Sequence, residues 1–511
     1  MAGLIPVPVE GWLAPPAQLL LDLHFHDPLD NDQTQLGCEG FDITIFPSVF
    51  PGIVGNTGTV LHCFDWATLR PGSIIGPMTT HPDLIHPRDE ILRTMERIYR
   101  YRMTTTSGGN LSIRAPDGDI WITPAQVDKG GLRQRDIVCV KADGTVEGPH
   151  KPSSEFPFHQ AIYSARPDIR AIVHAHPVAL VAFSICGQVP NARLLHQAWT
   201  VCGEVGFAPY ALPGSKALGG RLAEAFAKGF HCVILESHGV VVGGDNLQTA
   251  FQRFETLEFT AKTIIKATTL GAVQYLSDED LRLPRNAFKP LLSFAPVPAD
   301  RREKKLRRQL CDFVRRGYQQ RLLISTEGSF SARLDADSFL ITPNRVDRNT
   351  IDLEDIVLVR QAAAEANKTP SRATRNHQAI YQHHSGIQAI VNAYTINATA
   401  FSVSATKLDS RTIPESYMLL RKIARIAFGV QFRDPDKLAC RVSNQQPIAL
   451  LENDGVLVCG TSVLDAFDRL EVLESTAQAV INARHLGQLT LISDRAAAEL
   501  DQAFQISPVE N

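Results

Sequence analysis

Ser107-Gly108-Gly109-Asn110-Leu111-Ser112-Ile113-Arg114 returns later in the chain as Thr326-Glu327-Gly328-Ser329-Phe330-Ser331-Ala332-Arg333. Working outward, Ile122-Thr123-Pro124 returns as Ile341-Thr342-Pro343, and His159-Gln160-Ala161-Ile162-Tyr163 is repeated identically at His377–Tyr381. Farther on, Ala250-Phe251, Arg253, Glu255, Leu257-Glu258 and Thr260-Ala261 match Ala466-Phe467, Arg469, Glu471, Leu473-Glu474 and Thr476-Ala477. Matches in one unbroken order identify a tandem duplication, not two unrelated domains.

Each copy follows one pattern. An opening helix carries Ile91, Leu92, Met95, Ile98 and Tyr99 on one face, and a glycine-containing turn follows. Short strands are expected over 119–122 and 136–140. A long closing helix sets Leu247, Ala250, Phe251, Phe254, Leu257 and Ala261 at helical spacing, with Asp245 or Asn246 as its N-cap. Mixed helices and strands of this kind predict a layered α/β domain. The expected boundaries are an extension over 1–85, a first copy over 86–282 and a proline-containing linker over 283–300. A second copy then spans 301–490, with a tail over 491–511.

The first copy holds an unusual histidine pair, Val173-His174-Ala175-His176-Pro177, closing an apolar stretch that reads as a strand. Strand residues two apart share a face, so both imidazoles can converge on one point. His238, before the apolar run Val240–Val242, is a third candidate, and Lys151-Pro152-Ser153-Ser154-Glu155 adds hydroxyls and an acid. Three imidazoles with a non-ligating acid match a catalytic metal site that keeps one position open. The second copy has lost all of these together: His174 aligns with Asn392, His176 with Tyr394, His238 with Asp454 and Glu155 with Ala373. Core positions around them persist, as expected if one copy keeps chemistry and the other a packing role.

Composition narrows the remaining classes. A net charge of −3 over 511 residues argues against a broad nucleic-acid footprint. The basic run Arg301–Arg308 reads as the solvated face of a helix, because Leu306, Leu310, Phe313 and Val314 recur at helical spacing. Nine cysteines without a CxxC pair fit reduced thiols in a cytoplasmic protein. No apolar run approaches membrane-spanning length, so no membrane partner is expected. His24-Phe25-His26-Asp27 repeats the two-residue spacing but has no third ligand nearby.

The motifs Ser107-Gly-Gly-Asn-Leu-Ser112, Ile122-Thr-Pro124, Lys151-Pro-Ser-Ser-Glu155, His174-Ala-His176 and Ser237-His-Gly239 resemble the class II aldolase/adducin family. The resemblance implies two tandem α/β/α sandwich domains around mainly antiparallel sheets, the second degenerate. It implies His174, His176 and His238 as ligands of zinc or another divalent ion such as manganese, with Glu155 as acid/base. It also implies a homo-oligomer. Asn110, Ser153, Ser154, Thr123 and the Gly109 backbone are expected to hold an anionic small-molecule substrate. Gly108-Gly109 also reads as a plain tight turn, and Ser153-Ser154 as a helix cap. The family's proton-donor position is not matched: the stretch reads Leu194-Leu195-His196-Gln197-Ala198-Trp199, which makes His196 the candidate donor and Tyr275 an alternative.

The expected activity is metal-dependent carbon–carbon cleavage of an anionic, sugar-phosphate-like hydroxy-carbonyl compound through an enediolate stabilised by the ion. Decarboxylase, dehydratase and 4-epimerase chemistry use the same site. A non-enzymatic adducin-like scaffold is the remaining alternative.

Overall fold

Two sheets, one per repeat, organise the apolar runs in the computed structural model, which describes residues 85–287 and 291–506. The His24/His26 pair and nearly all of the amino-terminal extension lie outside the described residues. The first sheet holds β1 (Asn110–Arg114), β2 (Ile120–Ile122), β3 (Val138–Val140) and β4 (Val146–Glu147). It continues with β5 (Ala171–Ala175), β6 (Val205–Ala208), β7 (Cys232–Leu235) and β8 (Gly239–Gly244), in the order 4-3-2-1-5-8-7-6. Every neighbouring pair is antiparallel except β6–β7.

The second sheet repeats that order. It holds β9 (Leu292–Phe294), β10 (Ser329–Arg333), β11 (Ser338–Ile341), β12 (Val357–Arg360) and β13 (Ala363–Glu365). β14 (Ala389–Ala393), β15 (Ile423–Ile426), β16 (Ile448–Leu451) and β17 (Gly455–Gly460) complete it, in the order 15-16-17-14-10-11-12-13-9. β9 is the addition. It falls inside the stretch expected to be a linker, where Leu292-Ser293-Phe294 pairs in parallel with β13 and extends the sheet edge.

Helices cover both faces of the first sheet. They are α1 (Pro87–Arg100), α2 (Phe156–Ala165), α3 (Val178–Ile185), α4 (His196–Cys202), α5 (Lys216–Ala227) and α6 (Leu247–Thr268). Strands β5 and β8 are buried along their whole length, which is why they read as near-continuous apolar runs. Their two faces still alternate. Val173, Ala175, Val240 and Val242 pack with Ile91, Met95 and Phe254 of α1 and α6, whereas Ile172 and Val241 pack with Phe158 and Leu222 of α2 and α5. His174 therefore faces the α2 side. Asn246 caps α6 as expected, accepting from Thr249 N at 2.7 Å.

The repeats share a core. Phe259, Ile264 and Ala267 of α6, with Leu194, Leu195 and Ala198, join a cluster containing Tyr318, Phe401 and Phe467 from the second repeat. Buried Glu255 accepts from Tyr318 Oη at 2.9 Å and Ser325 N at 2.7 Å across this boundary. α7 (Asp278–Ala287) leads out of the first repeat, and α8 (Arg301–Gln319), whose Leu310, Phe313 and Val314 are buried as the periodicity predicts, opens the second.

Candidate metal centre

β1 and β5 are neighbours in register, with Asn110 opposite His174. Gly109 makes this approach possible: its φ is +71°, and a Cβ there would stand 2.7 Å from His174 O. At the β7–β8 turn, Ser237 adopts φ 53° and His238 follows, its N–H donating to Ser184 Oγ at 2.9 Å. Gly239 then leaves room for an imidazole, since a Cβ would meet His176 Cδ2 at 2.6 Å.

These local constraints gather the three predicted histidines. One ligand nitrogen from each of His174, His176 and His238 lies within 4.8 Å of the others. The Nε2 atoms of His174 and His176 are 3.1 Å apart, near the roughly 3.4 Å separation of two nitrogens on one tetrahedral zinc. His174 is fully buried, and its Nδ1 faces the Val240 carbonyl at 2.9 Å. That contact places a proton on Nδ1 and aims Nε2 at the cluster. Burial, then repulsion from His174, pushes His176 down to about 3 and His238 to about 4, which favours their neutral, ligating forms.

Glu155 completes the cluster. Its Oε2 lies 3.1 Å from His174 Nε2 and accepts from Asn110 Nδ2 at 2.8 Å. Oε1 lies 3.4 Å from His238 Nε2 and is buried without a hydrogen-bond partner among the described residues. Burial pushes the carboxyl up, but His174, His238 and the Asn110 donor outweigh it and hold the group well below the usual carboxylate range. The same attraction raises His174 against the effect of its own burial. An anion with one unpartnered buried oxygen beside three imidazoles is a donor set suited to a divalent cation.

Behind Glu155 runs a chain that the motif reading did not assign. Ser112 Oγ lies 2.7 Å from both His159 Nδ1 and Tyr163 Oη, and His159 Nε2 lies 2.5 Å from Asn110 Oδ1. Burial holds His159 neutral, at about 3. With Ser112 donating to Nδ1, Nε2–H donates to Asn110 Oδ1, which aims the Asn110 amide at Glu155. The identical His159–Tyr163 and His377–Tyr381 blocks were the signal for this chain.

The expected substrate-binding residues divide. Asn110 and Gly109 are at the cluster. Thr123 is fully buried and accepts from Leu111 N at 3.2 Å, clamping β1. Ser153 accepts from Glu155 N at 3.3 Å, and Ser154 is exposed. His196 is not brought to the cluster within this chain. Its Nδ1 stands 3.0 Å from Asp454 Oδ1, and its ring packs on Phe432 of the second repeat. The reason is α4, which lies on α6 at the boundary and presents its first residue to the other domain. Tyr275 is tied there too, since Gln274 N donates to Val403 O at 2.8 Å.

In the second repeat the positions corresponding to the histidine cluster hold other chemistry. Asn392, at the His174 position, offers Oδ1 to His377 Nε2 at 2.7 Å, while Ser331 lies 2.7 Å from His377 Nδ1. The Ser–His–Asn chain therefore survives, its asparagine moved one strand over, from β1 in the first copy to β14 here. Tyr394 and Asp454 stand where the first copy has His176 and His238, and Tyr394 Oη donates to Asp454 Oδ1 at 2.9 Å.

Comparison with known proteins identifies the family. The model of the class II aldolase and adducin N-terminal domain matches residues 89–265 and again 308–481. The chain belongs to this family, and carries its domain twice. It is 35% identical over 181 residues to 3-oxo-tetronate 4-phosphate decarboxylase of Escherichia coli K12, covering 35% of this chain and 85% of that protein. L-fuculose phosphate aldolase of the same organism is 32% identical over 205 residues, covering 39% and 93%. A solved L-fuculose 1-phosphate aldolase structure matches at 31% identity and TM-score 0.36, covering 39% of this chain and 93% of that one. No helix among the described residues is long and apolar enough to cross a membrane.

Proposed function

We propose that the first repeat is a divalent-metal-dependent lyase that cleaves a carbon–carbon bond of a small anionic hydroxy-carbonyl compound. The observation carrying this reading is the convergence of three imidazole nitrogens within 4.8 Å beside ionised Glu155. His174, His176 and His238 would hold the ion, zinc or manganese. When bound, a divalent ion supplies Lewis-acid stabilisation of the enediolate oxygens formed on cleavage.

The chain's own residues supply the remaining steps. Glu155 accepts or returns the proton at Oε1, the oxygen not held by Asn110. Asn110, oriented by His159, keeps that carboxylate in place. Gly109, Ser153 and Ser154 would hold the substrate's anionic end, with Thr123 fixing β1 through Leu111 N.

Decarboxylation remains a second reading, favoured by the 35% identity to a sugar-acid phosphate decarboxylase. Both reactions leave an enediolate-type carbanion, so a product screen with ketose phosphates and oxo-acid phosphates separates them. His174→Ala is expected to lose bound metal and turnover together while keeping its unfolding transition. A metal-free His174→Ala protein with full turnover would refute the lyase reading. We also infer a homo-oligomer, because the face around the cluster is uncovered within one chain, and a cytoplasmic setting, because the described cysteines are free thiols.

A further inference from the structure

The contact between the repeats has two sides, and each side has a counterpart left in solvent. The start of α4 supplies one side, where Leu195, His196 and Gln197 are all buried. Asn453 Nδ2 donates to Leu194 O at 2.8 Å, His196 stands 3.0 Å from Asp454, and Gln197 accepts from the Arg372 guanidinium. The receiving side is therefore Arg372 and the turn at Asn453 and Asp454. Val403 adds apolar area there, in the same buried cluster as Leu195.

The second repeat carries its own copy of the α4 start, unused. Pro414–Leu420 is again a seven-residue helix, as α4 is. Its N-cap residue Ile413 has φ −137°, against −135° for Leu195, and it ends on Arg421 at φ 53°, against Gly203 at φ 66°. A strand begins two residues later in both copies, at Val205 and at Ile423, each paired in parallel with the next strand. Ile413, Pro414 and Glu415 are thus the counterparts of Leu195, His196 and Gln197, and all three are exposed. The receiving side is duplicated as well. Buried Asn453 has φ 51°, and its counterpart Ser237 has φ 53° and is exposed. Ser154 corresponds to Arg372, His238 to Asp454 and exposed Ile185 to buried Val403. The uncovered receiving side is therefore the histidine face of the first repeat. One interface made inside the chain leaves two matching halves at its ends, and a second copy carries the half that each end lacks.

We propose that a second copy of this chain completes the first repeat's site, bringing Glu415 of the partner subunit to Ser154 and Ile413 of the partner subunit onto the Ile185 rim. The site then holds two carboxylates, Glu155 from its own chain and one from its neighbour. The contact stands whether or not the first repeat is a lyase, and only its effect on a bound metal rests on that reading.

Crosslinking and zinc release test it. In a Ser154→Cys/Glu415→Cys chain, a bismaleimide long enough to bridge an arginine and a glutamine position is expected to join two chains covalently. Neither single-cysteine variant should be joined in this way. An Ile413→Asp/Glu415→Arg chain, shown to fold by its thermal transition, is expected to fall to the mass of one chain. It should also release bound zinc to a chelator roughly tenfold faster than the parent, because the covering residues control access to the ion. A single-chain parent, or a double-cysteine protein that folds but is not joined, would overturn the proposal. A folded Ile413→Asp/Glu415→Arg chain with the parent's mass, or with the parent's rate of zinc release, would do the same. Covalent joining in a chain that takes up no zinc would uphold the contact and refute the lyase reading instead.

Discussion

His159 illustrates how one side chain acts on another's chemistry. It does not touch the cluster's ligand nitrogens, yet it holds Asn110, which holds Glu155. His159→Leu is expected to keep bound metal and reduce turnover roughly 10- to 100-fold, the usual effect of losing an outer hydrogen-bond partner at a metal site. His159→Gln, which can still donate to Asn110, should recover part of it, and kcat measured beside metal content checks both. His377 occupies the same position without a metal cluster and gives a clean pH prediction. Burial lowers its pKa from 6.5 to about 4. The unfolded chain takes up the proton first, so stability is intact above pH 6.5 and is lost as pH falls from there to about 4. The expected loss is about 3 kcal/mol. Denaturant unfolding across that window should show a shallower loss in His377→Gln than in the parent chain.

At the scale of elements, the histidine geometry depends on close contact between the β7–β8 turn and the end of β5. Gly239→Ala would drive a Cβ to 2.6 Å from His176 Cδ2 and 2.7 Å from Ala175 O. The expected outcome is metal affinity reduced at least tenfold with a destabilisation of about 1–3 kcal/mol, read by metal titration and denaturant unfolding. A variant with unchanged metal affinity would show that His176 is not constrained by this turn. These elements were legible in the sequence because local rules dictated them. Alternation placed His174 and His176 on one face, and helical spacing with Asn246 marked α6. Long-range placement was not legible. Nothing in Leu194–Trp199 reveals that α4 packs on the other repeat, so His196 read as a proton donor but sits on Asp454. Leu292–Phe294 is too short and too proline-flanked to read as a strand, and it forms one because the β13 edge offers pairing groups. The asparagine exchanged between β1 and β14 was hidden for a related reason: cross-strand register is invisible to a residue-by-residue alignment.

For the whole molecule, the two repeats make one contact that is not reciprocated within the chain. The first repeat's His196 and Gln197 cover the altered site of the second, where Ile396 packs against the shared core and Val403 is fully buried. The same positions in the first repeat, Val178 and Ile185, are 75% and 66% exposed beside the histidine cluster. Identical places in one fold thus differ in burial because one is covered by a neighbouring domain and the other is not. A contact of this head-to-tail kind propagates until a ring closes, and two chains, each supplying two domains, are the smallest set offering a second repeat to every first repeat. Leaving two large apolar side chains in water forgoes about 1.5–3 kcal/mol each, a substantial incentive for such closure. The native mass by light scattering is therefore expected to be at least that of two chains. Val178→Asp combined with Ile185→Asp should shift it toward one chain and lower turnover, while His174, His176 and His238 keep their metal. A parent protein that is monomeric and fully active would show that the histidine face works uncovered, and that its exposed apolar rim has another cause.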